Sequence, residues 1–220
     1  MLVGHLDELA LLLLPLPVSL ASVCCLNTAS LSYMIPFGLG AAVSTRVSNE
    51  LGAGHSRAAR LAVYVVVFMA IMEATIIGCT LFSIRNVWGY AFSNEQEVVD
   101  YVASMMPLLA ASTIMDGIQG VLSGIARGCG WQKLGAYVNL GAYYVVGIPV
   151  AVTLAFVLHV GGKGLWLGIF GGLFTQTILL VVLTSCTDWQ QQARKARERV
   201  YASALPRVTD EIIKDENSQS

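Results

Sequence analysis

The sequence predicts an all-α fold, a polytopic transmembrane helical bundle of about five full spans preceded by an N-terminal stub. Three observations predict it. The 220-residue chain is 55% hydrophobic and 12% charged, whereas soluble domains are about 45–50% apolar and about 25% charged. Charge is missing from whole windows rather than thinned evenly: Leu9–Thr45, Leu134–Gly162 and Gly164–Thr187 carry no Asp, Glu, Lys or Arg, while Leu61–Ile84 holds only Glu73 and Tyr101–Ala126 only Asp116. A hydrocarbon core about 30 Å thick is crossed by about 20 apolar helical residues. In lipid the backbone must satisfy its own hydrogen bonds, which selects helices here, since the short alternating strands of a barrel are not visible. The same composition excludes a disordered chain. With 13 Lys+Arg against 14 Asp+Glu, no electrostatic footprint for nucleic acid exists.

The first window is long for one crossing and short for two. Pro15 and Pro17 interrupt it, each removing a helical donor. The expected arrangement is a stub at Leu9–Leu14, then one long helix from about Val18 to about Ser48, kinked or loosened at Pro36 and Gly38. A signal peptide with Leu11–Leu14 as its apolar region is the rival reading, but Asp7 and Glu8 stand where positive charge is expected. The remaining spans are Ala59–Ile84, Val98–Ala126, Leu134–Leu158 and Gly164–Thr187. Residues 1–188 thus form the bundle. Residues 189–220 form a tail: a basic helix from Trp189 to Ala204, then a polar, disordered end beyond Leu205. That helix is either an interfacial anchor on anionic lipid, through Trp189 and the Arg/Lys cluster, or a solvated helix with no lipid role.

Numbering the sides alternately puts eleven of the 13 Lys and Arg residues on one side, in the Arg46–Arg60 segment, the Arg127–Lys133 loop and the tail. The other side receives only Arg85 and Lys163, with acidic Glu95, Glu97 and Asp100. The positive-inside rule places the tail in the cytoplasm.

Two ionisable groups lie deep within spans. An Asp near the bilayer centre costs about 2.5–3.5 kcal/mol on insertion scales, so function is the default explanation. Glu73 has apolar neighbours and no partner nearby in sequence; a carboxyl kept protonated explains it equally well. Around Asp116, helical spacing puts Ser112, Gln119 and Ser123 on one face, a polar stripe in an apolar helix. Gly120, Gly124 and Gly128 recur every four residues, a seam for close approach of another helix. Low-dielectric burial disfavours the charged form of a carboxyl. A group so placed loads and unloads a proton, as a proton-coupled carrier requires, with bending at Pro36, Pro107 or Pro149 as the movable element. Ser112, Gln119 and Ser123 of that stripe, with Asn27, Asn139, Tyr143, Tyr144 and Gln176, are substrate-cavity candidates, since aromatic faces with a few hydrogen-bonding groups suit organic cations; helix packing is the plainer explanation for Asn27, Asn139, Tyr143, Tyr144 or Gln176 alone. The five cysteines show no CxxC or Cys/His pairing and read as small buried hydrophobes. No phosphate loop, GxSxG, HExxH or paired His is present, so neither an enzyme nor a metal or cofactor site is expected.

Several strings occur together: Met34-Ile-Pro-Phe-Gly-Leu-Gly, Ser44-Thr-Arg-Val-Ser-Asn-Glu-Leu-Gly-Ala-Gly, Arg85-Asn-Val-Trp-Gly-Tyr-Ala-Phe-Ser-Asn, Val121-Leu-Ser-Gly-Ile-Ala-Arg-Gly-Cys-Gly-Trp-Gln-Lys, Gly135-Ala-Tyr-Val-Asn-Leu-Gly and Gly161-Gly-Lys-Gly-Leu-Trp-Leu-Gly. From about Asn27 to Trp189 the chain resembles the C-terminal half of plant MATE transporters (multidrug and toxic compound extrusion, also called DETOXIFICATION proteins). The resemblance implies that the five spans are helices eight to twelve of a two-lobed, twelve-helix carrier. It also implies export of organic cations or plant secondary metabolites in exchange for a coupling ion, expected to be H+, across the vacuolar or plasma membrane. Asp116 looks like the acidic residue of helix ten at the family's coupling-ion site. Glu73 has no such counterpart, and Glu8 before Pro15-Leu-Pro17 only loosely resembles a helix-seven Glu. The first lobe is missing, so a truncated form is expected. Its partners would be membrane lipid, a small organic substrate, and a missing N-lobe, another copy or a full-length relative. The alternative is a non-transporting membrane fragment that associates with full-length relatives.

Overall fold

The computed structural model describes residues 16–159 and 161–202. Among these, five helices are long and apolar enough to cross a membrane. They are α1 (Leu16–Gly52), α2 (Ser56–Ile84), α3 (Gln96–Gly128), α4 (Gln132–Val157) and α5 (Gly162–Ser185). A short 3-10 turn, Trp88–Ala91, joins α2 to α3, and a sixth helix, α6, covers 189–202. No strand occurs among the described residues. The stub at Leu9–Leu14, Glu8 and the tail beyond Leu205 lie outside the described residues.

Two of the connections close on left-handed glycines. Gly54 (φ 82°) ends α1, with the His55 amide donating to the Glu50 carbonyl at 2.8 Å. Gly130 (φ 77°) ends α3, with the Trp131 amide donating to Ala126 at 2.8 Å. Each is a helix stop in which a residue without Cβ reverses the chain and a 6→1 bond satisfies an orphan carbonyl. At the other end of the bundle, Trp88 Nε1 donates to Thr28 Oγ1 at 2.9 Å and ties the α2–α3 connection to α1.

The central helix is α3, which packs most extensively on α1 and also on α2 and α5, while α4 is held mainly by α5. Close approach decides this arrangement. A Cβ on Gly40 of α1 would sit 2.7 Å from the Gly120 carbonyl oxygen, and one on Gly128 would sit 2.7 Å from that of Ser44. Gly124 faces Gly40 with equally little room. The four-residue glycine repeat read in the sequence is therefore the seam along which α1 and α3 run side by side in parallel. A second seam joins α4 to α5, where Gly164, Gly168 and Gly172 meet Ala155, Ala151 and Gly147. With no water to exclude between helices in lipid, such close packing is a main source of association.

Two apolar clusters fill the interior. One gathers Val47, Leu51, Ala59, Val63, Val121 and Ile125 at the α6 end; the other gathers Cys25, Leu81, Val98, Met106 and Leu109 at the opposite end. The outer surface is also apolar, with Leu61, Phe68, Ile76 and Val145 each more than 60% exposed. Apolar groups both inside and outside are what a lipid solvent requires.

Pro36 and Pro107 sit inside unbroken α-helices, and the helical geometry changes in α4, where wide π turns at Ala142–Gly147 and Thr153–Val157 bracket Pro149. Two expectations meet a different outcome. Cys24, Cys25 and Cys129 are buried, but Cys79 and Cys186 are exposed; all five are free thiols. Gly78 takes the contact with α3, which turns its neighbour Cys79 outward. The basic helix α6 is not simply solvated: Ala193 is 4% exposed and joins the first cluster, with Trp189 and Ala196 packed beside it.

Candidate functional site

Asp116 lies midway along α3, partly buried, at the level where three helices meet. The next residue, Gly117, faces Ala74 of α2 at 2.9 Å and Pro36 of α1 at 3.7 Å, measured from where its Cβ would stand. One turn on, Gly120 faces the ring of Tyr33, whose Cε2 and hydroxyl lie 3.1 and 3.4 Å from the corresponding point. Small residues at 117 and 120 thus let α1 bring Tyr33 down onto α3 beside the carboxyl. From α4, Tyr143 stands in the first π turn with its ring over Gly172 of α5, Cδ1 at 3.0 Å from the Cβ point there. Asp116 is within electrostatic reach of both Tyr33 and Tyr143, and the two phenols of each other. One carboxyl and two phenols, from α3, α1 and α4, therefore lie within electrostatic reach of one another inside the bundle.

Tyr33 was not singled out from the sequence. Its signal was weak: it precedes Pro36 by three residues and forms an aromatic pair with Phe37 (centroids 6.2 Å apart). What places it at the site is the α1–α3 crossing, which no local pattern reveals. Arg127, the penultimate residue of α3, is also within electrostatic reach of Tyr33.

The polar stripe on α3 is spent locally. Ser112 is buried and donates to the Leu109 carbonyl at 2.9 Å, and Gln119 Nε2 donates to Ser123 Oγ at 3.1 Å. The other candidates are dispersed. Asn27 is exposed on α1, nine residues before Pro36 and so about 13 Å away along the helix. Asn139 and Tyr144 are exposed on α4. Gln176 of α5 is 3% exposed, and its Oε1 accepts no hydrogen bond among the described residues. It sits one turn beyond the Gly172–Tyr143 contact. Glu73 precedes Ala74 at the α2–α3 contact; both its carboxyl oxygens are buried and make no hydrogen bond among the described residues. The described residues hold no cluster of three or more His, Cys, Asp or Glu that could bind a metal ion.

Comparison with known proteins adds the family. Residues 7–153 match the family model MatE. The chain belongs to the MatE family. It is 55% identical over 194 residues to Protein DETOXIFICATION 16 of Arabidopsis thaliana and 53% identical over 191 residues to Protein DETOXIFICATION 12 of the same plant. Those alignments cover 87% and 86% of this chain but 40% of each relative, so the chain spans about two-fifths of the length of the curated relatives it matches. The fold superposes on the crystal structure of eukaryotic MATE transporter AtDTX14 with a TM-score of 0.84 at 50% identity, covering 90% of this chain and 44% of that one. Family and helices together make this MATE chain a multi-pass integral membrane protein, and the five-span helical bundle is a portion of the MATE architecture.

Proposed function

We propose that the chain supplies the ion-coupling half of a MATE-type secondary carrier, exchanging organic cations or plant secondary metabolites for protons. The observation that carries this reading is Asp116, an acid within electrostatic reach of two phenols from two other helices in an apolar bundle. Protonated, it leaves the space neutral; ionised, it leaves a negative charge beside two aromatic rings. A carboxylate beside aromatic faces attracts an organic cation by charge and by ring quadrupole. Proton and cation then compete for the same charge, which couples their movements without a covalent step. Tyr33 and Tyr143 offer ring faces and hydroxyls, and the π turn at Ala142–Gly147 gives α4 a place to adjust. Glu73 lacks the polar neighbours of Asp116, which supports a minor role at most.

The charge asymmetry supports a cytoplasmic tail, and the vacuolar or plasma membrane is the site of action that the family resemblance implies. Because the matched carriers are more than twice as long, the chain is read as their C-terminal lobe, working with a further lobe. The test is flux. Proteoliposomes that hold the chain together with a complementary N-terminal lobe, loaded with a fluorescent organic cation, should release it when the outside is made acidic. Asp116→Asn should abolish release while the variant still inserts and elutes as wild type does. Equal release by that variant, or none by the unaltered chain, would contradict the proposal.

A further inference from the structure

Away from Asp116, an open cleft of about 420 Å³ lies where the start of α2, the end of α5 and the start of α6 converge. Arg60, Tyr64, Thr184, Ser185, Asp188 and Trp189 form its polar and aromatic wall. Its depth is that of a membrane–water interface: Arg60 is in the second turn of α2 and Ser185 is the last residue of α5.

The cleft contains both signs of charge, unpaired among the described residues. Arg60 is anchored by Nη2 and Nε donating to the Tyr64 hydroxyl at 3.0 and 3.3 Å, with its guanidinium 5.4 Å from that ring. Asp188 Oδ1 accepts the amides of Gln190 and Gln191 at 3.0 and 3.1 Å. That cap already satisfies the α6 N-terminus and leaves Oδ2 open. Neither Arg60 nor Asp188 forms an ion pair with another described residue. Thr187 donates to the Leu183 carbonyl at 2.6 Å, whereas the hydroxyls of Thr184 and Ser185 make no hydrogen bond among the described residues. Two opposite charges in one cleft that form no ion pair with each other, in a wall that also holds two aromatic residues and two hydroxyls without a hydrogen bond among the described residues, match a ligand that carries both charges.

We propose that this cleft binds the zwitterionic headgroup of a glycerophospholipid. The phosphate sits on Arg60 and the Thr184 and Ser185 hydroxyls. The ammonium group faces Asp188 and the rings of Tyr64 and Trp189. The acyl chains follow the apolar outer surface toward the bilayer centre, past exposed Phe68 on α2 and exposed Val182 and Leu179 on α5. An anionic lipid would leave Asp188 opposing its charge.

Native mass spectrometry of the 220-residue chain, delipidated and then titrated with single lipids, tests this. Phosphatidylethanolamine or phosphatidylcholine should be retained more strongly than phosphatidylglycerol. Arg60→Gln should weaken that retention about tenfold, the size of one charge-assisted hydrogen bond. Asp188→Asn keeps a helix cap; it should lower zwitterionic retention and raise that of phosphatidylglycerol. Soluble glycerophosphoethanolamine should not displace the lipid. Preference for phosphatidylglycerol by the unaltered chain, unchanged retention in both variants, or displacement by the soluble headgroup would each overturn the assignment. Arg60 lies on the helix surface, so its variant remains informative if Asp188→Asn fails to fold.

Discussion

Gly124→Ala is the smallest change that strikes the axis of the fold. The added methyl would stand 2.7 Å from the Gly40 Cα and nearer still to that residue's carbonyl. Carbon atoms rest at about 3.5–4.0 Å, so α1 must retreat from α3 by about 1 Å. Overpacking of this kind costs about 1–3 kcal/mol. For a chain of this length each kcal/mol corresponds to about 2–4 °C, which puts the expected fall in melting temperature anywhere from about 2 to 12 °C. The comparison variant is Gly135→Ala in α4, where nothing lies within 4 Å of the added atom. It should leave stability unchanged or raise it slightly, because Ala is the better helix former by about 1 kcal/mol. The assay is size-exclusion chromatography of the detergent-solubilised protein after stepwise heating. Since Tyr33 rides on α1, Gly124→Ala should also weaken cation binding at Asp116. If both variants melt alike, the glycine seam does not hold the fold together.

Further expectations concern single side chains. Removing the phenol hydroxyl with Tyr33→Phe or Tyr143→Phe keeps the ring and one polar contact fewer, so organic-cation affinity should fall about threefold to tenfold, read by equilibrium binding. Glu73→Met removes two buried oxygens without partners among the described residues; it should raise the melting temperature, because a buried unsatisfied polar group costs about 1–3 kcal/mol, and leave proton coupling intact. Ala193→Glu forces a charge into the cluster where α6 docks; α6 should detach, and trypsin should cut at Arg194 and Lys195 faster than in the unaltered protein.

The spans were legible because charge-free windows of the right length are a direct consequence of lipid as solvent. The rise of 1.5 Å per residue converts them into crossings without any tertiary knowledge. Asp116 was legible for the same reason, since an acid in such a window stands out. Gly120, Gly124 and Gly128 announced a seam but not its partner, because Gly40 belongs to a helix two spans earlier and pairing of distant helices leaves no local period. Tyr33 was missed on the same ground. The π turns around Pro149 were also invisible: losing one donor can kink, widen or merely weaken a helix, and packing on α5 decides which. Surface cysteines look like buried ones when both the interior and the solvent are apolar. The α6 helix has a basic composition that conceals the Trp189–Ala193–Ala196 face by which it docks.

Proton release upon cation binding tests the central claim most directly. In weakly buffered detergent solution, acidic enough that the Asp116 carboxyl starts protonated, a pH-sensitive dye should report about one proton released per organic cation bound, as competition for a single carboxyl requires. Asp116→Asn should release none, and Glu73→Gln should behave as the unaltered protein. Full proton release by Asp116→Asn would contradict the account and move the coupling site elsewhere in the chain.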